Sequence, residues 1–136
     1  MATILVTGTN RGIGLELARQ SLAQGHTVIA TCRQPSEASE LRDLQGGQGE
    51  LDIRELDVAE SDSVCDFVDH LGNTPIDIFI NNAGIYGQRD ASLGRVDGQA
   101  WQQAFLVNTI APLLLTQKLL PVLKQGKDRA GHLVGF

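Results

Sequence analysis

The chain has 136 residues, 42% of them hydrophobic, and 16 acidic against 11 basic side chains leave a net charge of −5. Such a length suits one domain, here residues 1–136, with a core of its own. The acidic balance and the lack of a basic run argue against nucleic acid as a partner. No charged, apolar and small-residue leader opens the sequence, and polar residues interrupt the apolar runs. Neither a secretion signal nor a membrane partner is expected. Cys32 and Cys65 lack C-x-x-C spacing and read as buried small hydrophobes in a reducing cytoplasm. His26, His70 and His132 share no ligand spacing, so no metal site is expected.

Ala2-Thr3-Ile4-Leu5-Val6 reads as a buried strand. Thr7-Gly8-Thr9-Asn10-Arg11-Gly12-Ile13-Gly14 follows, and a helix over residues 15–24 is closed by Gly25. Strand, glycine loop and helix in that order are the setting of a dinucleotide fingerprint. Gly8 permits a sharp turn, Gly12 lets phosphates approach the backbone, and Gly14 lets helix and strand pack closely. The first-turn N–H groups and the helix dipole then favour a pyrophosphate. The spacing is G-x-x-x-G-x-G rather than G-x-G-x-x-G.

Residues 27–32 form a second strand, with Arg33 just past its end. A carboxylate there would accept from a ribose 2′-hydroxyl. Arg33 only donates and suits a 2′-phosphate, with Arg11 as a second donor. NADP(H) is therefore expected in preference to NAD(H). A short, marginal helix is expected from Glu37 to about Leu44, then a glycine-rich loop. Residues 51–56 alternate as a third strand, ended by Asp57-Val58. Ser61 is placed to cap a helix to Leu71, with Val64, Phe67, Val68 and Leu71 buried. Gly72 and Pro75 stop that helix.

Residues 76–80 read as a fourth strand covered on both faces. Asn81-Asn82-Ala83-Gly84 follows at the carboxyl end, where open α/β sheets bind ligands. The two amides can tie strand ends together, and Ala83 and Gly84 leave room for a ring or ribose. After a polar loop, Asp97 caps a long helix over residues 98–124. Asn108 lies within its apolar sequence and is expected to be buried with partners. Pro112 offers the Asn108 carbonyl no N–H, so a kink is expected there. A basic turn over residues 125–129 leads into a fifth strand.

T-G-x-x-x-G-I-G and N-N-A-G together resemble the short-chain dehydrogenase/reductase family. The resemblance covers the chain and about the N-terminal half of a usual member. It implies a Rossmann-type doubly wound parallel sheet of order 3-2-1-4-5, cut off in the fifth strand. It implies that Asp57 and Val58 lie beside the adenine. It implies that Asn108 is catalytic, helping to hold a water in a proton relay, and that dimers form through the helix at 98–124. Cofactor contacts would come from Gly8, Asn10, Arg11, Gly12, Ile13, Gly14, Arg33, Asp57, Val58, Asn82, Ala83 and Gly84. The family's Ser and its Tyr-x-x-x-Lys have no counterpart here. The expected function is hydride transfer between NADP and a carbonyl or alcohol substrate in a longer protein, with binding but no turnover by this chain. The alternative is a non-catalytic dinucleotide-binding or interaction module.

Overall fold

A computed structural model of the chain describes residues 1–127 and the backbone of strand His132–Gly135. Residues 128–131 and 136, in the expected basic turn and at the end of the expected fifth strand, lie outside the described residues. Five strands, β1 (Thr3–Thr7), β2 (Thr27–Cys32), β3 (Glu50–Glu55), β4 (Ile78–Asn81) and β5 (His132–Gly135), form one sheet ordered β3-β2-β1-β4-β5. All four pairings are parallel, with Leu5 beside Ile29 on one side and Phe79 on the other. The expected Rossmann topology is the observed one.

The helices are α1 (Gly12–Ala23), α2 (Ser39–Arg42), α3 (Ser61–Leu71), α4 (Gly98–Phe105) and α5 (Ala111–Leu123). Side chains alternate across a strand, so β1 feeds two cores. Leu5 joins Ile29, Phe79, Phe67, Leu115 and Leu119 on the α3/α5 face. Ile4 and Val6 join Val28, Ala30, Leu15, Ala18 and Leu22 on the α1 face. Burying each such side chain contributes about 1.5–3 kcal/mol.

Several expectations are corrected. The second helix is a 3₁₀ turn (Pro35–Glu37) and one α-turn, anchored by buried Ala38 and Leu41. Glu60, not Ser61, is the N-cap of α3, without a side-chain cap bond. β4 starts at Ile78 because the Asp77 carboxylate accepts from the backbone N–H groups of Thr3 (2.8 Å) and Lys127 (2.6 Å), fastening the strand's entry. Cys32 is buried, but Cys65 is exposed on α3.

Where a kink is expected, the helix departs from α geometry. Between α4 and α5, Leu106–Ile110 make a π-turn, in which Ala111 N–H donates to the carbonyl five residues back, Leu106. Pro112 follows directly, so the wider turn falls where an α-helical donor is missing. Against expectation, Gly98–Leu123 is long and apolar enough to cross a membrane by length and composition. Here it lies along the sheet, with Leu115, Leu119 and Val122 in the core.

Candidate functional site

The site is built on the carboxyl ends of β1 and β4. Gly8 turns the chain after β1 with φ 69°, in the left-handed region that favours glycine. A Cβ on Gly8 would lie 2.9 Å from Ala83 Cα, so the loops after β1 and β4 touch backbone to backbone. A Cβ on Gly14 would strike the Gly8 carbonyl and the Asn82 amide. Thr9 pins the loop's far side to β2, its N–H and hydroxyl both donating to the Thr31 carbonyl at 3.1 and 3.0 Å.

Asn82 joins the two loops. Its Nδ2 donates to the carbonyls of Thr7 and Gly8, both at 3.0 Å. The Thr7 hydroxyl accepts from the N–H groups of Asn82 and Ala83, both at 3.0 Å. Asn81 Nδ2 donates to the Pro112 carbonyl at 3.2 Å and couples β4 to α5. The tie between strand ends expected of the two amides is thus present, and Asn82 makes it to β1.

The open side of this frame is the start of α1. Its N-cap is Arg11, which makes no side-chain cap bond. Gly12 is exposed, and a Cβ there would meet nothing within 4 Å. The first-turn N–H groups have no helical partner by geometry, and the helix dipole adds positive potential. Uncapped donors, an unfilled cradle and the adjacent Arg11 fit a pyrophosphate. Asn10 and Ile13 are exposed on the same turn. Arg33 follows β2 and is exposed; among the described residues neither it nor Arg11 enters an ion pair.

Asp57 organises the turn after β3. Its Oδ1 accepts from Ala59 N–H at 3.0 Å, and its own N–H donates to the Ser63 hydroxyl at 2.9 Å. Val58 leans on the α3/α5 core. Gly84 sits where a Cβ would come 3.3 Å from Asn108 Oδ1.

Asn108 is exposed, not buried as the apolar sequence around it suggests. The π-turn rotates it out of the core and toward the loop after β4. Both ends of its amide are engaged there: Oδ1 accepts from Ile85 N–H at 2.8 Å, and Nδ2 donates to the Ile85 carbonyl at 2.7 Å. A cavity of about 300 Å³ adjoins it, walled by Gly87, Ala104, Trp101 and Phe105. Gln88 stitches the loop by donating to the Arg95 carbonyl and accepting from Asp97 N–H, each at 2.7 Å. Asp97 caps α4 as expected, accepting from Gln99 and Ala100.

Sequence reasoning missed Thr7, Thr9, Ser63 and Gln88. Thr7 carried a signal, since a hydroxyl beside the glycine turn can accept from backbone donors that face it. Gln88 carried none, because both of its partners are backbone groups.

A parallel sheet with a glycine loop leading into an uncapped helix, joined to the next strand end by an Asn, defines an α/β dinucleotide-binding protein. The short chain dehydrogenase family pattern matches residues 2–135, and the chain belongs to that family. It is similar to the SDR family member FEY of Arabidopsis thaliana, 33% identical over 98% of this chain and 39% of that protein. It is also similar to human retinol dehydrogenase 14, 36% identical over 90% of this chain and 40% of that protein. The fold superposes on a Pseudomonas aeruginosa carbonyl reductase in complex with NADP, with a TM-score of 0.82 and 35% identity, over 90% of this chain and 56% of that one. The chain spans about half the length, or less, of the curated relatives it matches.

Proposed function

We propose that this chain is the cofactor-binding part of an NADP(H)-dependent carbonyl reductase or alcohol dehydrogenase. The observation that carries this reading is the uncapped, exposed start of α1 with Arg11 upon it and Arg33, rather than an acid, after β2. Gly8, Gly12, Ile13, Gly14 and Asn10 would hold the pyrophosphate, and Arg11 and Arg33 the 2′-phosphate. Asp57 and Val58 would flank the adenine, with Asn82, Ala83 and Gly84 beside the nicotinamide-side ribose. A similar carbonyl reductase and a metagenomic short-chain oxidoreductase, 28% identical, were both crystallised with NADP.

The cofactor when bound supplies the hydride. Asn108 holds the loop at Ile85 with one amide N–H and one oxygen lone pair. A relay contact from Asn108 has two routes, the remaining amide N–H and lone pair or the main-chain carbonyl, to which Pro112 offers no donor. The sequence lacks the family's Ser and Tyr-x-x-x-Lys, so this chain binds cofactor without turnover. A positioned general acid contributes about 10²- to 10⁴-fold, which this chain forgoes. The second reading is a dinucleotide-binding module without catalysis.

Self-association through the helix over residues 98–123 belongs to the same reading. Phe105, Ile110, Leu113 and Leu120 are exposed by 43–67% along it, and exposed apolar surface of this kind marks contact sites when it is contiguous. The test is paired: titrate NADPH by fluorescence, then assay carbonyl reduction over a broad panel. Saturable binding without reduction is expected, and turnover by the 136-residue chain would refute the assignment. Reduction by a longer product of the same gene would select the enzyme over the binding module.

A further inference from the structure

Away from the cofactor cradle, one thiol and one amine meet between two helices. Cys65 is exposed on α3, Lys118 is exposed on α5, and Lys118 Nζ donates to Cys65 Sγ at 3.8 Å. The two residues are 53 positions apart in sequence, so only the packing of α3 against α5 brings them together. Among the described residues no carboxylate lies within ion-pair distance of Lys118. The amine therefore faces the sulfur rather than a competing acid. We propose that Cys65 and Lys118 form a covalent modification site, in which a peroxide converts the pair into a sulfenamide bridge.

The chemistry balances with the peroxide as the one oxidant. The Cys65 thiolate attacks a peroxide oxygen, the O–O bond breaks, and sulfenic acid and water result. The neutral Lys118 amine then displaces hydroxide from the sulfenic sulfur. An S–N bond forms, an S–O bond breaks, and a second water leaves. The sulfur is oxidised, the peroxide is reduced, and the protein loses two hydrogens. Thiols reverse the bridge by attack at sulfur, which returns the amine and leaves a mixed disulfide.

Cys32 provides the internal contrast. It is buried in the α1-face core, and burial pushes its thiol pKa up. A buried protonated thiol is a poor nucleophile. The pair, not cysteine content, thus selects the position. A bridge would close the chain across 53 positions and pin α3 to α5, which restricts the unfolded chain and raises the thermal midpoint.

Two measurements on the full chain test this. ortho-Phthalaldehyde condenses one amine and one thiol into a fluorescent isoindole when the two are neighbours. Isoindole emission is expected from the unmodified protein and about tenfold less from Cys65→Ser and Lys118→Arg, both exposed positions that tolerate exchange. Stoichiometric hydrogen peroxide, followed by alkylation and peptide mapping, should then give a Cys65–Lys118 cross-link lacking two hydrogens. Lys118→Arg should divert Cys65 to sulfenic acid that dimedone traps. Isoindole unaffected by Lys118→Arg would overturn the proposal. So would peroxide products confined to disulfides or sulfinic acid with Lys118 unmodified.

Discussion

Asn82 and Gly14 share one small space: a Cβ on Gly14 would sit 2.5 Å from the Asn82 amide nitrogen that bridges Thr7 and Gly8. The glycine loop and the N-N-A-G stretch, 68 residues apart at these positions, are therefore one device. The missing side chain on α1 is what lets β4 fasten β1.

Gly14→Ala should cost about 1–3 kcal/mol through overpacking against a rigid carbonyl. Asn82→Ala should cost about 1–3 kcal/mol by leaving acceptors without their donor. Because the first change already displaces Asn82, the double variant should cost less than the sum. Urea unfolding of the four proteins measures the cycle, and simple additivity would contradict a shared space.

The proposed cofactor preference is tested at Arg33. Arg33→Asp removes a charge-assisted donor and adds a carboxylate suited to a ribose hydroxyl. A bond of this kind is worth roughly 1.5–3 kcal/mol, so NADPH affinity should fall about ten- to hundredfold while NADH affinity rises. Titrations of both cofactors against both proteins measure this. Equal affinity of the unmodified chain for the two would rule the assignment out.

The loop after β4 depends on Asn108. Asn108→Ala removes both bonds to Ile85, each worth about 0.5–1.5 kcal/mol. Amide exchange at Ile85 should quicken by roughly ten- to hundredfold, with global stability little changed because the position is exposed. Pro112→Ala should do less, since it restores a helical donor without touching the Asn108 amide. Unchanged exchange in Asn108→Ala would mean that Gln88 alone holds the loop.

The strands, the glycine loop and the N-N-A-G stretch were legible because they rest on local signals, while the strand order followed from the family resemblance. Apolar runs, glycines with defined jobs and the N-N-A-G amides each act within a few residues. What failed to show depends on packing between distant segments. Asn108 sits among apolar neighbours, and only the π-turn at Leu106–Ile110 turns it outward. Cys65 looks like any core thiol until the buried stripe of α3 passes through Val64, Phe67 and Leu71 and leaves it outside. The Thr7 hydroxyl stands beside the glycine turn, but its donors lie 75 and 76 positions away and only the fold names them.

Asp77 gives the fold a dependence on acid. It lies at the end of the sheet opposite the cradle and is 7% exposed. Burial alone would push its carboxyl pKa up. The N–H groups of Thr3 and Lys127, with the charges of Lys127 and the N-terminal amine, outweigh that and hold it below the ordinary aspartate value. The unfolded chain restores a value of about 3.9. A folded value below the unfolded one means that the stabilisation is complete above about pH 4. It is lost as pH falls through the lower folded value, where protonation removes the charge that both N–H groups face. Asp77→Asn keeps one acceptor oxygen but turns an NH₂ toward a backbone donor. At neutral pH it should cost about 1.5–3 kcal/mol, as befits bonds to a charged acceptor. The gap between the two proteins should narrow below about pH 4, because the unmodified chain then loses what the variant already lacks. Denaturant midpoints for both proteins from neutral pH down to about pH 3 measure this. A gap that stays constant across the range would show that Asp77 acts through shape and not through its charge.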